Sequence, residues 1–247
     1  MRFHTRAVCF CLFSVVLAVS PASGATCKNA SLKGVFGYLH GRPGAYPAAV
    51  IEGQITLDGM GNITAGSWTY TYDGTITTGT TTGTYSISKN CTGTLTLNDE
   101  GGGPAHYNIY INAGNKMFQM IETDTGNNQP GFALAQGTVT CGLTGKGQVL
   151  TTNLVGYYTA VADTVGQVTL DGEGNIKGSE VFTNNGAIST LSVTGTYTEE
   201  SNCTGTWQVT NSVGSTQNFN TVVVNSGKEL LLIETDNGTI TAGNAQE

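Results

Sequence analysis

The chain is written twice, and no other feature constrains its fold as strongly. GQITLDGMGNITAG at Gly53–Gly66 returns as GQVTLDGEGNIKGS at Gly166–Ser179. TGTYSISKNCTGTLTL at Thr82–Leu97 returns as TGTYTEESNCTGTWQV at Thr194–Val209. KMFQMIETDTG at Lys116–Gly126 returns as KELLLIETDNG at Lys228–Gly238. Three blocks in one order at a nearly constant offset mean a duplicated unit. Its length exceeds that of a solenoid repeat or a propeller blade and suits a small domain. The join falls in the polar stretch GTVTCGLTGKG, Gly137–Gly147.

Residues 1–25 stand outside the duplication and read as an export signal. Arg2 and Arg6 precede an apolar run, Ala7–Val19, that is too short to span a bilayer as a mature helix. Ser23 and Ala25 occupy the small-residue positions of a cleavage site, so cleavage is expected after Ala25. No later segment is long or apolar enough for a membrane helix, so no membrane span is expected. The two units are then 26–138 and 139–247, in a protein that is secreted or periplasmic. Loss of Arg2 and Arg6 takes the formal charge from −7 to −9.

Four cysteines remain after the leader: Cys27, Cys91, Cys141 and Cys203. An exported chain meets an oxidising compartment, where disulfides are the rule. Equivalent copies should pair equivalently, which gives Cys27–Cys91 and Cys141–Cys203, closing matched loops in the two copies. A zinc site needs closer Cys or His spacing, so no metal is expected.

Composition points the same way. The chain holds 35 Gly and 39 Thr with only 11% charged residues, which is poor material for helices. Its 38% hydrophobic content can still bury a core. An isoelectric point near 4.9 excludes a nucleic-acid partner, which would need a basic face. Each copy reads as eight short strands, in the first at 33–40, 48–57, 62–72, 75–88, 92–98, 105–113, 116–124 and 131–137. Side chains alternate with period two: Trp68, Tyr70 and Tyr72 share one face, as do Tyr107, Ile109 and Ile111. Asp58-Gly59, Asp73-Gly74 and Asn237-Gly238 are hairpin signals. The fold class is all-β: two tandem eight-stranded antiparallel barrels, with β-sandwiches as the alternative. Closure favours the barrel because it removes exposed edges.

The order Leu32-x-Gly-x-Phe-x-Tyr38, LDGMGNIT, TGTYSISKNCTGTLTL and MIETDTG resembles bacterial secreted proteins of unknown function. Those are similar to the allene oxide cyclase-like barrels, the fold shared with plant dirigent proteins. The resemblance implies an eight-stranded antiparallel barrel per copy and carries no activity with it.

The candidate chemistry centres on IETD, which occurs once per copy. On a strand, Glu122 and Asp124 share a face with Phe118 and Met120, and Glu234 and Asp236 share one with Leu230 and Leu232. If that face lines a lumen, two carboxyls sit at one end of an apolar cavity, where a raised pKa suits general acid–base work or ligand orientation. The alternative is that the strand ends there, with Glu meeting solvent and Asp capping the turn. Tyr85 and Tyr197 could reach a ligand or find a local partner. The DGxGN motifs at Asp58–Asn62 and Asp171–Asn175 suit tight hairpins better than calcium loops. His40 and His106 have no counterparts in the second copy and are expected at the surface. No nucleophile elbow or phosphate-binding loop is present, and no cofactor is expected. Three function classes follow: a module binding a small apolar ligand in a lumen, a structural or adhesive protein with packed barrels, and a cyclase- or isomerase-type enzyme using Glu122 or Glu234. The oligomeric state stays open.

Overall fold

In the computed structural model the described residues are 26–42, 48–112, 114–127, 129–137, 141, 147–157 and 161–247. Residues 1–25, where the sequence suggests an export signal, lie outside them. Eight strands form the first barrel: β1 (Lys33–Arg42), β2 (Ala49–Asp58), β3 (Asn62–Tyr72), β4 (Thr75–Ile87), β5 (Thr92–Asp99), β6 (Pro104–Ile111), β7 (Met117–Glu122) and β8 (Pro130–Ala135). Each pairs antiparallel with the next, and β8 returns to β1 through Phe36–Ala135 to His40–Gly131. The second barrel repeats the plan with β9 (Gln148–Tyr157), β10 (Val161–Leu170), β11 (Asn175–Asn184), β12 (Ala187–Glu199), β13 (Thr204–Asn211), β14 (Thr216–Val224), β15 (Glu229–Glu234) and β16 (Ile240–Gln246). Here β16 closes on β9. Both are closed up-and-down barrels, so none of these strands is left as a free sheet edge.

Alternation decides what each strand buries. On β1 the residues Phe36, Tyr38 and His40 point inward, where they meet Ile55, Tyr107 and Phe118. The second lumen is filled by Leu150, Val168, Trp207, Phe219, Leu230 and Leu232. One disulfide lies in each barrel unit, Cys27–Cys91 and Cys141–Cys203.

The DGxGN motifs form matching hairpins. Asp58 Oδ1 accepts from the amides of Met60, Gly61 and Asn62, while its Oδ2 accepts from the Asn62 side chain. Asp171 repeats this with Glu173 and Asn175. These donors, led by the Asn62 side chain, hold the Asp58 carboxyl down at about 2. Gly61 and Gly174, with φ of 116° and 98°, stand where a side chain would be strained.

The two barrels meet along a seam. The outer face of β1 and β2, with Leu39 and Val50, packs on Val222, Val224, Leu231, Ile233 and Ala242 from the outer face of β14–β16. Gly37 permits the approach, since a Cβ there would come within 2.5 Å of Val224 Cγ1. The contact is head to tail, because different strands of the two copies face each other.

Candidate functional site

Polar residues collect at one end of the first barrel's lumen. His40 and Arg42 close β1, Asp99 closes β5, Tyr107 lies on β6 and Glu122 closes β7. Gln129 stands just before β8 and is buried. The His40 ring stacks on Tyr38 at 5.9 Å and meets Tyr107 edge-on at 5.3 Å. The Tyr107 hydroxyl and His40 Nε2 share a hydrogen bond at 3.3 Å. Asn127 Nδ2 donates to Glu122 Oε1 at 2.7 Å.

Burial sets the electrostatics of this end. His40 is only 2% exposed. Desolvation lowers its pKa to about 4, against the opposing contact of Gln129, so the ring is neutral at pH 7. Desolvation raises Glu122, with the Asn127 bond and the charge of Arg42 working against it. Asp99 is raised by burial and tempered by Thr81. Tyr38 and Tyr107 are pushed up by burial first and by neighbouring carboxyls second. The cluster therefore sets a neutral His40 ring and two tyrosine hydroxyls beside the Arg42 guanidinium and two carboxyls raised by burial.

The second barrel supplies an internal comparison. Matching the strand pairings puts Thr152 where the first barrel has Tyr38, Leu154 at the place of His40, Phe219 at that of Tyr107 and Asn211 at that of Asp99. Glu234 alone repeats its counterpart. It is 2% exposed and raised by burial, with Thr241, Thr239 and Gln217 moderating the shift. Gln217 Nε2 donates to its Oε1 at 3.3 Å. Beside it, Glu180, Trp207, Gln217 and apolar neighbours enclose a lumen cavity of about 30 Å³. That holds a water or so, whereas small-molecule sites run to about 300–1,000 Å³.

The IETD carboxyls divide in both copies. Glu122 and Glu234 point into the lumens, but β7 and β15 end there, and the following Thr-Asp pair turns to the adjacent strand. Asp124 accepts from the His106 amide at 2.7 Å and meets its Nδ1 at 2.8 Å, while Thr123 N donates to His106 O. Asp236 accepts from the amide and side chain of Asn218, both at 2.7 Å, and Thr235 N donates to Asn218 O. This clasp fastens β7 to β6 and β15 to β14.

Tyr85 lies in the first core. Its hydroxyl accepts from Gly59 N at 2.9 Å and donates to Leu32 O at 2.7 Å, closing the DGxGN hairpin. Tyr197 stands likewise against the main chain of Gly172 and Gly174. His106 is exposed, as its sequence setting suggested, but His40 is not: it continues the inward row of Phe36 and Tyr38. That alternation was the available signal. The absence of a counterpart in the second copy concealed it, as it concealed Tyr38 and Tyr107.

With this geometry in view, the chain is similar over residues 41–118, within the first barrel, to the lipocalin-like domain family. No curated protein matches the chain.

Proposed function

We propose that the protein is an exported binding protein of two barrel domains, 26–138 and 139–247. Its first barrel holds the polar head of a small, mostly apolar ligand at the end of the lumen formed by His40, Tyr107, Glu122 and Gln129. One observation carries this reading: the second barrel folds on the same plan with Leu154 and Phe219 where the first keeps a buried His and Tyr. Buried polar groups are costly and are not needed to close this barrel, so their retention in one copy points to a ligand. The lipocalin-like match, over residues 41–118, lies within that copy and supports the same reading. The second barrel, which has Leu154 and Phe219 at those places, serves as its partner.

The test is a native mass spectrum of the protein purified gently from its exporting host, beside the variants H40L and Y107F. The expected result is a discrete small-molecule mass on the native protein that both variants lose while keeping their melting temperature. A bare oxidised chain, or variants that retain the adduct, overturns the proposal. In the first case the reading becomes a structural protein with two packed barrels.

A further inference from the structure

Beside the seam the two barrels diverge and leave a cleft of about 480 Å³, within the range of small-molecule sites. One wall is the outer face of β3 and β4, with Thr69 and Thr80. The other is the outer face of β12–β14, with Thr198, Thr206 and Asn220. Two features separate it from an ordinary groove between domains.

The first is its hydroxyl lining, which is organised but not exhausted. Asn220 Nδ2 donates to Thr69 Oγ1 at 2.9 Å, which leaves the Thr69 O–H to give. Thr198 and Thr206 share one bond at 2.8 Å, and Thr80 donates to Glu100 at 2.8 Å. Each hydroxyl has one donor and two acceptor positions, so capacity remains on both walls. The second is Glu52, on the outer face of β2 at the floor of the cleft. It is 2% exposed, and its Oε1 has no hydrogen-bond partner. A buried carboxyl oxygen without a partner costs stability unless something else satisfies it.

We propose that this cleft is a binding site for a neutral oligosaccharide, with Glu52 at its floor and threonine hydroxyls on both walls. Closely spaced groups that both give and accept hydrogen bonds match a polyol, whose hydroxyls do the same. An anionic ligand is disfavoured, because Glu200 lines the cleft and no Lys or Arg does so among the described residues. Trp68 borders the site, but its indole lies over Gly79, so hydrogen bonding rather than ring stacking supplies recognition. This site is separate from the first barrel's lumen, and the inference does not rest on the lumen reading.

The test uses the full oxidised protein on an array of neutral and charged oligosaccharides. Titration calorimetry with the best soluble neutral trisaccharide follows, together with co-sedimentation with the corresponding insoluble polysaccharide. T69V and T206V keep shape and remove one hydroxyl each. Each is expected to weaken binding about fivefold, as the loss of one net hydrogen bond implies, while still unfolding in a cooperative melt. H40L is expected to bind the sugar normally, which separates this site from the lumen. Binding in calorimetry alone assigns a free oligosaccharide, and co-sedimentation as well assigns a polymer surface; either supports the site. No neutral sugar bound, binding of charged sugars only, or T69V and T206V binding as tightly as the native chain overturns it.

Discussion

At the residue scale, His40 and the buried glutamates push stability in opposite directions with pH. His40 has a folded pKa of about 4, below its unfolded value near 6.5, so the unfolded chain takes up the proton first. Its contribution is whole above pH 6.5 and is lost as the pH falls towards 4, in total about 3 kcal/mol. H40L should therefore flatten the loss of stability between pH 6.5 and 4, followed by urea melts at intermediate pH values. An unchanged slope would mean that the ring is not buried neutral. Glu234 runs the other way. Its folded pKa is raised, so its protonated form favours folding at low pH, and that contribution declines as the pH rises above the ordinary carboxyl value. E234Q should raise the melting temperature at pH 8 and leave it nearly unchanged at pH 4. Equal shifts at both values would contradict a raised Glu234.

At the element scale, β15 explains a pattern that its sequence leaves ambiguous. ELLLIE carries large apolar residues on both faces, and alternation alone does not say what the outer face meets. Every residue of the strand is buried, but for two reasons: Leu230, Leu232 and Glu234 face the lumen, while Leu231 and Ile233 face the other barrel. The equivalent β7 alternates, with Gln119 and Ile121 exposed. Strand order, hairpins and both disulfides were legible because they depend on local periodicity and on the repeat. The seam was not, since it depends on which outer faces meet, and neither was the polar lumen end, since a repeat argument discounts what one copy alone carries. The Thr-Asp clasp is where an expected strand to residue 124 stops instead at Glu122. Removing it in the second copy, by D236A, deletes two hydrogen bonds to Asn218 and should cost about 1–3 kcal/mol in a denaturant melt. G37V should destabilise as well, because its side chain would collide with Val222 and Val224 at the seam. A neutral G37V would show that the barrels do not pack this way in solution.

At the scale of the whole molecule, each disulfide closes a long loop, Cys27–Cys91 with a sequence separation of 64 and Cys141–Cys203 with one of 62. The chain-entropy account gives about 4 kcal/mol for a loop of that length. Full reduction, read by calorimetry with and without a strong reductant, should lower the melting temperature of both barrels; an unchanged trace would mean that the bridges add nothing. The head-to-tail seam has a separate consequence for stoichiometry. A contact between unlike faces can be repeated without limit, and a chain that kept both halves of it at its free ends would grow into fibres. Here the free ends have been disarmed. Asn153 and Asp163 stand on the second barrel where the first has Leu39 and Val50, and Tyr110 and Gln119 stand on the first where the second has Val222 and Leu231. Those polar replacements act as caps, so the series stops at two: sedimentation should find a single small species, and restoring all four apolar residues should turn a self-limiting pair into an open polymer.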